Sequence, residues 1–226
     1  MKTIFSTILL LVGIQFTTFA QDDPASPPTG FIRLVNGVSE GSGKLTLKID
    51  GQDMRPQGYN LGDATGGIAL RPGGRKVTIK KEGIKEGSTT IQLEKDQTVT
   101  VIPFAEKIPA TDQEPGHLAI KILRLKQRSV EKERTATFVS VSASPELKAE
   151  LQGDDGKWVT VYVKRLATAE TPMKYSIGYA PAKVNGVPIK SIPIGGTGNY
   201  VVVFYDDAEG KVQSLYFRDF KFLSAD

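Results

Sequence analysis

Cysteine is absent from the 226 residues. A disulfide framework, a thiol nucleophile and cysteine-ligated zinc are therefore all excluded. Histidine occurs once, at His117, which leaves no basis for a histidine-rich zinc or copper centre. Apolar runs are short: after the first segment none approaches the ~20 residues a helix needs to cross a bilayer. Neither sign of charge dominates, the formal net charge being +4. A nucleic-acid binder concentrates basic residues in a stripe with a recognisable motif, and no such motif occurs, so nucleic acid is not expected as a partner.

What is present begins with a leader. Met1-Lys2 is a short basic start, Ile4 to Phe16 is apolar, and Thr18-Phe19-Ala20 places small residues around a cleavage point before Gln21. This layout predicts a signal peptide over residues 1–20, and hence export. Its removal takes away Lys2 and lowers the side-chain charge to +3 (4 − 1 = 3). Residues 21–30 are polar and proline-rich, and read as a tether.

From Phe31 onward the pattern has period two. Leu45, Leu47 and Ile49 alternate with Lys44, Thr46 and Lys48, and Val77 and Ile79 alternate with Lys76, Thr78 and Lys80. Ile91, Leu93, Val99 and Val101 continue the alternation, which marks half-buried strands. Asp50-Gly51, Pro72-Gly73-Gly74, Glu86-Gly87, Lys95-Asp96, Asp154-Asp155-Gly156 and Asp206 to Gly210 read as turns. Later strands are expected over Phe138 to Val141, Trp158 to Val163, Tyr175 to Ile177, Val184 to Ile194, Tyr200 to Tyr205 and Gln213 to Phe217. Among these, Tyr200 to Tyr205 does not alternate. Two apolar faces predict an inner strand covered on both sides, at an interface between halves or subunits.

The fold class expected is all-β: two small antiparallel sandwiches in tandem. The first spans 31–104, a proline-containing linker spans 105–116, and the second spans 117–226. Phe31 to Ser39 and Thr137 to Pro145 open the two halves in similar style, which suggests duplication.

Several pieces of the first half form a further pattern: Ile32 to Ser39, Leu45 to Gly51, Tyr59 to Gly62, Leu70 to Ile79 with Pro72-Gly73, and Ile91 to Val101. Together they resemble a family of secreted bacterial immunoglobulin-like domains of unknown function. Thr98-Val99 departs from that family's aromatic before the last strand's threonine. The shared features are turn glycines and core positions, so the resemblance implies a sandwich and no activity.

Chemistry is thinly represented. His117 follows Pro115-Gly116 with no nucleophile motif near it, and reads as an exposed linker residue; an uncharacterised hydrolase is the last-ranked function. Asp154-Asp155 and Asp206-Asp207 lack the Asp-x-Asp-x-Asp-Gly spacing of a calcium loop and read as hairpin turns. Gly195-Gly196-Thr197-Gly198 runs into a strand without the Lys-Ser/Thr of a phosphate loop. No catalytic residue, metal or cofactor is expected.

Two surfaces remain as candidates. Arg75, Lys76, Lys80 and Lys81 crowd one hairpin and could meet an anionic partner. Trp158, Thr160 and Tyr162 share one face of a strand whose valines share the other. That strip could stack on a sugar or anchor a protein, or else be covered. The function expected is a non-catalytic exported module of a bacterial periplasm or cell surface. Its role would be structural, accessory or adhesive, with protein or glycan partners and possible self-association. Carbohydrate binding through the aromatic strip is the rival.

Overall fold

Alternating apolar residues have one stable solution in water, a sheet with its apolar side covered, and that solution is repeated along this chain. The computed structural model describes residues 28–128, 130 and 132–219. The expected leader and residues 21–27 of the tether lie outside the described residues.

Every regular element among the described residues is a strand. The first eight are β1 (Gly30–Leu34), β2 (Ser42–Ile49), β3 (Gln52–Asp53), β4 (Ile68–Leu70), β5 (Gly73–Glu82), β6 (Ile84–Leu93), β7 (Thr98–Ile108) and β8 (His117–Lys126). They form one sheet in the order β3-β2-β5-β6-β8-β7-β1-β4. Between β6 and β8 the only pair is Lys85↔Ala119, so the sheet is two four-stranded wings hinged at one point. The wings close on a cluster that includes Ile32, Leu34, Leu45, Leu47, Val77, Ile79, Val99 and Val101. In β2 the burial alternates as the sequence pattern demands, with Leu45, Leu47 and Ile49 inside.

The remaining strands are β9 (Arg134–Ser140), β10 (Glu146–Gln152), β11 (Trp158–Lys164), β12 (Thr168–Pro172), β13 (Gly178–Val184), β14 (Val187–Ile194), β15 (Gly198–Asp206) and β16 (Val212–Asp219). They form two sheets, β11-β10-β13-β14 and β12-β9-β15-β16. Between these lies a second cluster, containing Leu147, Ala149, Leu151, Val163, Ile192, Val202 and Phe204; the rings of Phe138 and Phe204 stack within it at 5.9 Å.

The second eight strands repeat the connectivity of the first eight, strand for strand. Registers repeat too. Val77↔Thr89 and Lys81↔Ile84 in the β5–β6 hairpin correspond to Ala180↔Ile192 and Val184↔Val187 in the β13–β14 hairpin, by one constant displacement along the chain. The openings match in detail. Val35 N donates to Val101 O as Val141 N donates to Phe204 O, and Val38 N reaches Asn36 Oδ1 as Ser144 N reaches Ser142 Oγ.

Several expectations are corrected. The strand expected over Tyr175 to Ile177 begins instead at Gly178, and Glu86-Gly87, expected as a turn, lies inside β6, whose hairpin turns at Gly83. The sheets are mixed, because β1 pairs parallel with β7 and β9 with β15. A period of two is common to both pairing directions, so alternation cannot tell them apart. Residues 105–116 are not a linker: Ala105 to Ile108 pair with His117 to Ile120, and the rest of the segment is the tip of the β7–β8 hairpin. Residues 117–126 therefore belong with the first half, and the chain crosses to the second between β8 and β9. The expected strand Val184 to Ile194 is broken by a turn at Asn185-Gly186, both with positive φ. That dipeptide is a hairpin signal.

β15 is buried along nearly its whole length, between β9 and β16. Tyr200, Val202 and Phe204 enter the second cluster. Val201, Val203 and Tyr205 enter a third, with Val139, Val141, Val35, Ile102 and Phe104, which joins the two halves. Both of its faces are covered, as the non-alternating sequence requires.

Candidate functional site

Within the β11-β10-β13-β14 sheet the valines of β11 turn inward: Val163 is in the core and Val161 packs against it. Trp158, Thr160 and Tyr162 consequently lie on the outer face. Tyr162 is 60% exposed, Thr160 is exposed and Trp158 half-buried. Register places Gln152 opposite Trp158, Glu150 opposite Thr160 and Lys148 opposite Tyr162. The Lys148 ammonium donates to Glu150 at 2.8 Å, which holds its pKa above the ordinary lysine value. From β13, the Lys183 ammonium sits 4.1 Å from the centre of the Trp158 ring, a cation–π contact that occupies that face of the indole.

Sequence reasoning missed part of this face. Tyr179 is 69% exposed on β13, and Ile177, 73% exposed, precedes it by two residues. The signal available was the alternation of Ile177 and Tyr179 with the core-facing Ala180 and Ala182. At the end of the sheet Trp158 also lines a cavity of about 210 Å³ with Gln152, Asp155, Lys157, Pro172 and Lys174.

The basic hairpin is less of a patch than its sequence suggests. Arg75 pairs with Asp50 at 3.0 Å and also caps the Arg71 carbonyl. Lys80 pairs with Glu86 at 2.5 Å. The Lys81 ammonium turns inward to the carbonyls of Val38 and Ser39, and burial lowers its pKa. Of the four, Lys76 keeps an exposed side chain, while its backbone N–H donates to Asp50.

His117 is half-buried as the first residue of β8, not an exposed linker residue. Its Nδ1 lies 3.7 Å from the Glu114 carboxylate, which also accepts from Lys85 at 2.9 Å. The acidic pairs serve their turns. Asp154 accepts from Ser176 N and Oγ, and Asp207 from the N–H groups of Glu209 and Lys211. Asp206 accepts from Ser142 Oγ and Ala143 N. Among the described residues no group of three or more His, Asp or Glu side chains is placed to hold a metal. The Gly195-Gly196 amides both donate to the Tyr200 hydroxyl, so the glycine run wraps a tyrosine rather than an empty cradle.

The most demanding electrostatic feature lies between the halves. Arg33 and Asp219 pair at 3.3 Å with both side chains 3% exposed. Arg33 lies over the Phe217 ring at 4.2 Å, and Asp219 accepts a further bond from Arg128 N. Burial pushes the Asp219 carboxyl up and the Arg33 guanidinium down, each against the pull of the other's charge.

No family model and no curated protein matches this chain. Among the described residues no helix is long and apolar enough to cross a membrane.

Proposed function

We propose that this chain is a non-catalytic exported module of a bacterial envelope, built from two immunoglobulin-like β-sandwich domains and working through protein contacts. The observation that carries the reading is the distribution of exposed large apolar side chains. Those found among the described residues are all in the second half; Tyr162 and Tyr179 lie on β11 and β13 of one sheet, and Ile177 stands just before β13. Tyrosines on a flat, rigid sheet supply large contact area at small entropic cost, which suits a docking surface. The first half, locked to the second by the shared apolar cluster and the Arg33–Asp219 pair, acts as its spacer and support.

Glycan binding is the second reading. It is favoured by the cavity in which Trp158 meets Gln152, Asp155, Lys157 and Lys174, an aromatic wall beside polar groups. Titration of the chain from Gln21 separates the two. Protein docking predicts that envelope partners are retained by the wild type and lost by Tyr162→Ala/Tyr179→Ala. Glycan binding predicts a tryptophan fluorescence change with sugars that survives that double substitution. If neither substitution nor sugar produces any change, the sheet face is not the working surface.

A further inference from the structure

The two halves differ at one lateral edge. In the first, β6 and β8 touch through the parallel pair Lys85↔Ala119. Gly87 lies so close beneath β8 that a Cβ there would stand 2.4 Å from the Ile120 carbonyl oxygen. The β7–β8 hairpin reaches this point because its pairing continues past Pro103↔Ile122 to Ile108↔His117.

Each of these closing features is replaced in the second half. The hairpin registers align Ile84 with Val187, so Pro188 stands where Lys85 does and Lys190 where Gly87 does. Proline offers no N–H to a bridge, and the lysine supplies a Cβ where the first half has room for none. The β15–β16 hairpin stops at Asp206↔Val212, the counterpart of Pro103↔Ile122, so the strand segment that would reach β14 is missing. Between β14 and β16 there is instead a cleft of about 720 Å³.

The chemistry of the cleft selects among occupants. Val187, Pro188, Ile189 and Val212 make it apolar, and Val187 is 62% exposed at its mouth. Lys190 and Lys211 line it, and no carboxylate does. The Lys211 ammonium holds Glu209 at 2.7 Å, whereas the Lys190 ammonium rests 5.7 Å from the centre of the Tyr216 ring and forms no ion pair among the described residues. Pro188 and Pro193 remove donors from the β14 wall, which therefore cannot seat a partner strand by continuous backbone pairing. An apolar body with a negative head fits this lining better than a polypeptide does.

We propose that the cleft between β14 and β16 binds a single-chain anionic amphiphile, its hydrocarbon over Val187, Ile189 and Val212 and its head at Lys190. This site is separate from the outer sheet face, and its variants leave that face intact. The test is calorimetric titration of the chain from Gln21 with dodecanoate below its micellar concentration, with dodecanol as the neutral control. Saturable one-site binding is expected, weaker for dodecanol, and reduced roughly tenfold or more by Lys190→Glu at unchanged melting temperature. Val187→Asp is expected to abolish it, while Ile84→Asp, at the equivalent first-half position, leaves it intact. Absence of saturable binding overturns the proposal, as does equal loss from Ile84→Asp. A doubled mass in solution that Val187→Asp reduces to a monomer also overturns it, because the cleft would then be an interface between copies.

Discussion

Arg33 and Asp219 are held by opposing effects of similar size. Taking two charges out of water costs several kcal/mol per ion, and their attraction in the interior returns much of it. Removing one partner leaves the other buried and unmatched. Asp219→Ala is therefore expected to destabilise the protein by about 3–5 kcal/mol, and the double variant Arg33→Met/Asp219→Leu by clearly less. Chemical denaturation of the wild type and the two variants measures the difference; a double variant destabilised as much as Asp219→Ala or more would show that the charges do not act as a pair. Ser140 presents the opposite case. Its hydroxyl is buried with no hydrogen-bond partner among the described residues. Ser140→Ala should thus raise stability by on the order of 1 kcal/mol, and a loss of that size in the same assay would mean the hydroxyl has a partner.

At the level of elements, single strands decide how the layers meet. β15 carries one cluster on each face, so Val202→Asp and Val203→Asp are both expected to lower the melting temperature sharply. Val202→Asp strikes the second half's own core and Val203→Asp the junction between halves. A Val203→Asp protein that melts like the wild type would mean that face is wet. Gly87 tests the closed edge. A side chain there meets the Ile120 carbonyl, and Gly87→Val should cost roughly 1–3 kcal/mol through overpacking.

The strands legible in the sequence were those with one wet face. Leu45-x-Leu47-x-Ile49 shows its period because lysines and a threonine fill the gaps, and β15 shows its double burial because nothing polar interrupts it. β12 and β13 are not legible: Thr168 to Pro172 has almost no apolar content, and the buried positions of Gly178 to Val184 are mostly alanines, too small to stand out. Pro109 and Pro115 mark a hairpin tip as readily as a boundary, which is why residues 105–116 resemble a linker and are the end of the β7–β8 hairpin. The cleft could not be read at all, since it depends on what β16 lacks by comparison with β8. Of the aromatic face, Trp158, Thr160 and Tyr162 were legible; the lysine over the indole was not, because it comes from another strand.

For the molecule as a whole, acid is the informative variable. Backbone N–H groups of Lys76, Lys157 and Lys211 hold Asp50, Asp155 and Asp207 below the ordinary carboxylate value, and Lys80 and Lys85 do the same for Glu86 and Glu114. A carboxyl depressed on folding stabilises the fold above its unfolded pKa, near 4, and loses that contribution as pH falls through its lower folded value. Asp219 is raised, and its contribution has the opposite sign: present in acid, it fades as pH rises through the raised value. Stability should accordingly fall below about pH 4, with Asp219 opposing the fall. The triple variant Asp50→Asn/Asp155→Asn/Asp207→Asn should flatten that acid arm in a melting series; an unchanged slope would assign the acid sensitivity to other groups.

The hairpins β7–β8 and β15–β16 also govern how the chain carries load. The chain enters the first half at Gly30 and leaves it at Lys126, and register puts both ends on one side of the sheet, with Phe31 beside Thr98 and Val99 opposite Lys126. Tension between them peels β8 from β7 pair by pair, from Lys126 towards His117, before it reaches the parallel β1–β7 ladder. The second half has the same geometry, with Arg134 beside Gly198 and Asn199 opposite Asp219. A chain held at one end and loaded at the other would give way in steps, one hairpin after another.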